Sequence, residues 1–235
     1  MLNKVFTYIS SLINLLFPRC CTVCDSPLVR GEDFLCTSCL LNLPRTNYHL
    51  LSENPVERLF WGRINLIKAT SYFYYYRGSE MRKIIHAIKY GGKKEIGEVM
   101  GRNMAAELLQ QSNFFDGIDL LMPVVLHPKR QRIRGYNQSE WIAKGVSHVT
   151  DLPIEMHAVK RVKHVETQTR KTPFQRWENV QQIFQLEHPE RLEGKHILVI
   201  DDVVTTGATA LAFIESFATL KEAKVSLLTL AVAAQ

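Results

Sequence analysis

A chain of 235 residues is long enough for one core of ordinary size with a small appendage, and too short for two full domains. With 46% hydrophobic and 22% charged residues, and no apolar run long enough to span a bilayer, its composition is that of a globular protein and excludes a membrane span. The net charge of +6 is unevenly spread: between His127 and Arg176 eleven Lys or Arg face four acids. That surplus implies a polyanionic partner, a phosphorylated small molecule or a nucleic-acid backbone, beside the plainer reading of a solvated basic face.

Residues 5–17 are apolar, but Ser10, Ser11 and Asn14 interrupt them and no small-residue cleavage site precedes Pro18-Arg19-Cys20. Residues 1–17 therefore read as an amphipathic helix packed on the body, not as a cleaved signal, and the chain is expected in the cytoplasm.

All five cysteines lie within residues 20–39, four of them as Cys21-x2-Cys24 and Cys36-x2-Cys39. Two such knuckles bring four thiolates to the corners of a tetrahedron, the geometry of structural zinc. Disulfide pairing is the alternative, and a reducing compartment disfavours it. Cys20 is a spare thiol that replaces Cys21 if the first knuckle closes with one extra residue. Residues 18–44 are accordingly expected to be a small zinc module with no open metal position for catalysis.

Residues 45–58 are polar and read as a linker, and the main domain is expected over 59–235. Ser71-Tyr72-Phe73-Tyr74-Tyr75-Tyr76 reads as a strand ending at Arg77-Gly78. Met81, Ile84, Ile85 and Ile88 have helical spacing before Gly91-Gly92, and a second helix is expected over 95–111. There follow an apolar run at 118–126, a basic loop, a helix from Asn137 to about His148, a strand around 155–162, an apolar run at 196–203, a helix over 209–220 and a run at 225–232. Short apolar strands alternating with helices predict an α/β fold, a parallel sheet with helices on both faces. Ligands of such sheets bind at the carboxyl ends of the strands.

One of those ends is unusual. Ile197-Leu198-Val199-Ile200 runs without interruption into Asp201-Asp202, and two adjacent acids are costly inside a core, so they are expected to emerge at the strand end. There they accept hydrogen bonds from vicinal hydroxyls or reach a hydrated magnesium ion. Val203-Val204 then leads to Thr205-Thr206-Gly207-Ala208-Thr209, where hydroxyls and amides at a helix start form an anion pocket. Acids for a diol beside a cradle for phosphate match the two ends of a ribose 5-phosphate. An ordinary strand-turn-helix with a Thr cap explains one threonine but not the acid pair.

This stretch resembles the phosphoribosyl pyrophosphate (PRPP) signature of type I phosphoribosyltransferases, and the chain as a whole resembles the ComF family. The paired knuckles after Phe17-Pro18, the block from Pro123 through Arg134-Gly135-Tyr136-Asn137-Gln138, and Gln168 with Arg176 and Asn179-Val180 carry the likeness nearly end to end. The resemblance implies a type I phosphoribosyltransferase fold in which Asp201 and Asp202 hold the ribose hydroxyls and residues 203–209 the 5-phosphate. It makes Val124, Val125 and Leu126 part of a pyrophosphate loop whose amides face the diphosphate, with Lys129, Arg130 and Arg134 neutralising it. Residues 167–176, with Gln168 and Arg176, read as a mobile loop that closes over the ligand. Helix-end and surface roles remain open for the three basic residues, and Lys89-Tyr90-Gly91-Gly92 is a second family-like block that helix termination explains almost as well.

Two functions follow. One is transfer of the phosphoribosyl group from magnesium-bound PRPP, although no acceptor-pocket segment is recognisable after the phosphate loop. The other, implied by the ComF likeness, is a PRPP-sensing competence factor in DNA uptake or use of external DNA. It would bind single-stranded DNA through the basic region, stack it on Tyr136, Trp141, Phe174 or Trp177, and work with a DNA-uptake helicase or processing protein. Trp141, at helical spacing, also reads as core, and His127 carries no clear role.

Overall fold

The computed structural model describes residues 18–162 and 183–234. The expected N-terminal helix and the loop bearing Gln168 and Arg176 lie outside the described residues, as do Phe174 and Trp177.

Four parallel strands form the main sheet: β1 (Ala69–Tyr75), β2 (Leu120–Pro123), β5 (His196–Val204) and β6 (Lys224–Ala233), in the order β1-β6-β5-β2. Their side chains alternate between two cores, as a sheet covered on both faces requires. Leu198, Ile200, Leu121 and Leu228 enter one core, which holds α3 (Glu80–Tyr90), α4 (Glu95–Gln111) and α6 (Gln138–Thr150). Ile197, Val199, Leu120 and Leu227 enter the other, with Phe213 of α7 (Ala208–Glu215) and Val56 of the short α2 (Pro55–Arg58). The expected α/β architecture is the one found. A second small sheet, β3 (Val159–Arg161) antiparallel to β4 (Phe184–Leu186), packs Val159 and Phe184 into the second core.

Helix α6 is set unusually close to α4. A Cβ on Gly145 would fall 2.1 Å from the Glu98 carbonyl oxygen, and one on Gly101 would fall 2.3 Å from that of Ile142. Only glycine permits this approach, which fixes the position of the α6 amino terminus over β5.

Differences from expectation have local causes. Residues 45–58 are not a free connection: Thr46 donates from its amide to the Tyr72 carbonyl, Tyr74 donates to that of Pro44, and Arg45 pairs with Glu107 at 3.0 Å. Polar composition there reflects edge pairing rather than solvation. The strand expected around 155–162 divides, with Ile154 bridging to Leu121 of the main sheet and 159–161 joining the hairpin. The final helix stops at Glu215 rather than near Leu220 and gives way to turns.

The cysteine module packs Cys21, Val23, Leu35, Cys39 and Leu43 into the first core, and α1 (Thr37–Asn42) carries its second knuckle. Lys83 of α3 donates to the Val23 carbonyl at 2.6 Å, so the module sits on the helix that continues towards the acid pair. Among the described residues no helix is long and apolar enough to cross a membrane.

Candidate phosphate-ester site at the carboxyl end of the central strand

β2 ends where Pro123 pairs with Ile200, so Asp201 and Asp202 lie just past it, opposite the 123–126 turn. They do not emerge from the strand as expected: β5 continues to Val204, and the two residues are only 8% and 4% exposed. Burial is tolerated because neighbouring elements supply partners. Ser139, in the first turn of α6, donates its hydroxyl to Asp201 Oδ1 at 2.9 Å, and the Asp202 amide donates to the same oxygen at 2.8 Å. Lys89, in the last turn of α3, places Nζ 2.9 Å from Asp202 Oδ2. That contact is an ion pair without hydrogen-bond direction, and it leaves Oδ2 buried with no directed donor. Burial first, and the adjacent Asp202 charge second, push the Asp201 carboxyl up to about 7.

After the acids, Val203 is half-buried and Val204 buried, and the chain turns at Gly207. Gly207 sits at φ 76° as the amino-terminal cap of α7, and a Cβ there would lie 3.0 Å from the Phe60 ring. A left-handed turn against an aromatic ring explains why glycine stands here. No side chain caps the helix, so the exposed Thr205, Thr206 and Thr209 hydroxyls are not spent on it, and Ala208 is also exposed.

The 123–126 turn differs from expectation in one amide. Val124 donates to the Ile200 carbonyl at 2.9 Å, so its N–H extends the ladder and does not face a ligand. The amides of Val125 and Leu126 make no backbone hydrogen bond among the described residues. Asn137 caps α6 through the Ser139 amide and also ties down the turn, donating to the Val124 carbonyl at 3.0 Å. His127, without a role in sequence, accepts from the Lys129 amide at 3.1 Å and starts α5 (Pro128–Arg134).

Lys129 and Arg130 are exposed on that helix. Arg134 turns away, donating to Gln138 Oε1 at 2.6 Å and lying over the Tyr90 ring at 5.2 Å. Trp141 is not core: Lys94 and Lys144 place their ammonium groups 4.6 and 4.4 Å from its ring centroid. Tyr136 donates its hydroxyl to the Ile88 carbonyl. Sequence reasoning did not assign Lys89, Ser139 or the Asn137 tether, since a helix-terminal lysine and first-turn polar residues are ordinary helix signals.

In the cysteine module, the ligand atoms of Cys21, Cys24, Cys36 and Cys39 lie within 4.8 Å of one another. Sγ of Cys24 and Cys36 are 3.7 Å apart, close to the roughly 3.8 Å edge of a tetrahedron with zinc–sulfur bonds. The Cys36 amide donates to Cys21 Sγ and the Cys39 amide to Cys36 Sγ, orienting sulfur inward. Hydrogen bonds from Ser26 lower the Cys24 thiol to about 6, whereas burial pushes Cys39 up. The four thiols fit a tetrahedral metal, and Cys20 is exposed outside the cluster. A surface cavity of about 510 Å³ is lined by Glu57 and residues 60–67, among them Phe60, whose ring also faces Gly207.

Curated relatives include DNA utilization protein YhgH of Escherichia coli, 30% identical over 192 residues that span 80% of this chain and 79% of the relative. The chain belongs to the ComF family. Competence protein F of Haemophilus influenzae is 36% identical over 92 residues, 39% of this chain and 40% of that protein. No family model matches. A glutamine PRPP amidotransferase from B. subtilis overlaps 59% of this chain and 26% of its own at 18% identity and a TM-score of 0.38. A hypoxanthine phosphoribosyltransferase from Staphylococcus aureus overlaps 58% and 62% at 16% identity and a TM-score of 0.34.

Proposed function

We propose that this ComF protein binds PRPP with magnesium and acts in the use of external DNA. The supporting observation is one strand, β5, that carries a buried acid pair and leads directly into a hydroxyl-bearing turn at a helix start. Asp201 and Asp202 accept hydrogen bonds from the ribose hydroxyls, and residues 205–209 receive the 5-phosphate through amides and hydroxyls. The diphosphate then extends towards the 123–126 turn, where Lys129 and Arg130 are free to neutralise it and Arg134 can do so after leaving Gln138. Asp202 Oδ2 is a hard oxygen of the kind magnesium takes, and a hydrated ion there would have to displace Lys89, which now lies 2.9 Å from it. Magnesium, when bound, offsets diphosphate charge. In a transfer reaction the bond from the anomeric carbon to the diphosphate oxygen breaks, pyrophosphate departs with the electron pair, and an acceptor nucleophile takes its place. The protein's part is position and charge neutralisation.

PRPP with magnesium should raise the melting temperature of the native chain but not of an Asp201→Asn/Asp202→Asn variant, because only native-state binding stabilises. No shift in the native protein would remove this reading.

A second role is supported by Trp141 between Lys94 and Lys144, and by exposed Tyr90 beside Arg134. Aromatic rings interleaved with cations suit single-stranded DNA, and the curated relatives carry DNA utilization and competence names. In this role the chain senses PRPP without transferring it. Affinity for an oligonucleotide should fall steeply with salt and drop on Trp141→Ala; a flat salt response would exclude phosphate contacts. The cysteine module is assigned to structural zinc.

A further inference from the structure

The edge strand β1 borders a cleft that the PRPP reading does not use. It has a volume of about 330 Å³, and its walls include Tyr48, His49, Leu51, Lys68, Thr70 and Phe114. Asn54 holds the segment before α2 against the strand, donating its side-chain amide to the Ala69 carbonyl at 2.8 Å. The acid pair is elsewhere: Thr70 pairs with Leu228 and Leu228 with Ile200, so β6 stands between this cleft and β5.

Two polar atoms in the walls lack partners. Thr70 is only 1% exposed and its Oγ1 makes no hydrogen bond, and His49 Nδ1 is likewise buried and unpartnered. Among the described residues four buried side-chain atoms are so placed, and two of them belong to this one cleft. An unmade hydrogen bond at a buried hydroxyl is costly, and valine would fill the same shape at Thr70 without that cost. Packing therefore gives no reason for threonine here, whereas a ligand does.

The donor pattern indicates which ligand. His49 Nε2 lies 2.9 Å from Gln111 Oε1, and a carboxamide oxygen only accepts, so Nε2 carries the hydrogen of the neutral ring and Nδ1 keeps its lone pair. Lys68 Nζ donates to the Asn113 carbonyl at 2.5 Å and to that of Phe114 at 3.4 Å, which leaves one of its three N–H groups. The cleft thus offers two donors, Thr70 and Lys68, and one acceptor, His49. A cyclic imide offers the converse, two carbonyls flanking one N–H. Tyr48, Leu51 and Phe114 supply the apolar and aromatic wall that a flat ring packs against, and the volume is at the lower end for ligand sites, the scale of a single base or nucleoside.

We infer that this cleft binds the imide edge of a pyrimidine dione, a thymine- or uracil-like base, at a site separate from the acid pair. Thr70 donates to one ring carbonyl, His49 Nδ1 accepts from the ring N–H, and Lys68 donates to the second carbonyl. The assignment stands whether or not PRPP binds at β5.

The test is calorimetric titration of the full chain with thymidine, whose sugar lacks the vicinal diol that the acid pair would hold, and with 3-methylthymidine, in which a methyl replaces the imide hydrogen. Thymidine should bind and the methylated nucleoside should bind at least about tenfold more weakly, since it loses a hydrogen bond and sets a methyl against His49. Thr70→Val and His49→Phe should each weaken thymidine by about three- to tenfold, the worth of one hydrogen bond. Thr70→Val should do so without lowering the melting temperature, because its hydroxyl has no bond within the chain to lose. A short oligothymidylate separates two sources of the same edge: competition with thymidine assigns the cleft to a base in a strand, and no competition assigns it to a free base. Absence of thymidine binding, which would mean that the cleft holds water only, overturns the site. So do equal affinities for the two nucleosides, unchanged affinity in either variant, or a melting temperature lowered by Thr70→Val. Displacement of thymidine by ribose 5-phosphate would put it at the acid pair instead and overturn the site as well.

Discussion

Lys89 Nζ lies 2.9 Å from Asp202 Oδ2, joining the last turn of α3 to the acid pair of β5. The same helix holds the cysteine module through Lys83 and the Val23 carbonyl, so one rigid element touches both chemically distinctive parts of the molecule. Removing the ammonium leaves a nearly buried carboxylate without a counter-ion. Lys89→Met is expected to destabilise the fold by about 1–3 kcal/mol in urea titration, discounted because Lys89 itself is partly exposed. Adding Asp202→Asn should recover part of that loss, and a strictly additive double mutant would show that the pair is not coupled.

The Asp201 carboxyl has a definite consequence for pH dependence. Its folded pKa, about 7, stands above the 3.8 of an ordinary aspartate, so the folded chain binds more protons between those limits. The contribution to stability is therefore full below the unfolded value and is lost as pH rises through about 7. Relative to Asp201→Asn, which cannot ionise, the native chain should lose several degrees of melting temperature between pH 5 and 8.5, and parallel curves for the two would contradict the shift.

Chelation should act on one end of the molecule. Structural zinc contributes on the order of 10–16 kcal/mol to small modules, and the core of residues 18–44 is little more than Cys21, Val23, Leu35, Cys39 and Leu43. Hydrogen exchange after zinc removal should rise sharply across that segment, with 196–204 still protected. Uniform exchange across both would mean that the module does not depend on the metal.

Gly145 is a sharper packing test than any large core residue. Gly145→Ala sets a methyl 2.1 Å from the Glu98 carbonyl oxygen, which belongs to helix backbone and cannot move aside alone. A loss of about 3 kcal/mol or more is expected by denaturant titration, at the upper end for overpacking. Because α6 also carries Ser139, the variant should weaken PRPP binding, which Ser147→Ala at the far end of that helix should not.

Much of the architecture was legible along the chain because its signals are local. Met81, Ile84, Ile85 and Ile88 mark α3 by period, Gly91 ends it, and the uninterrupted apolar runs at 196–203 and 225–232 require strands buried on two faces. Cysteine spacing likewise identified the four clustered thiols without reference to anything distant. The 45–58 segment reads as a linker in sequence because its hydrogen bonding to β1 depends on a strand distant along the chain, which composition does not encode.

By itself, the order of residues determined the parallel α/β layering, the four-thiol cluster and the placing of two acids beside a threonine-glycine turn, all through spacing and alternation. Tertiary structure alone decided that the acids stay inside the strand, because Ser139 and Lys89 arrive from two separate helices to compensate their burial. Charges far apart along the chain acquire a shared field only when packing has removed the water between them.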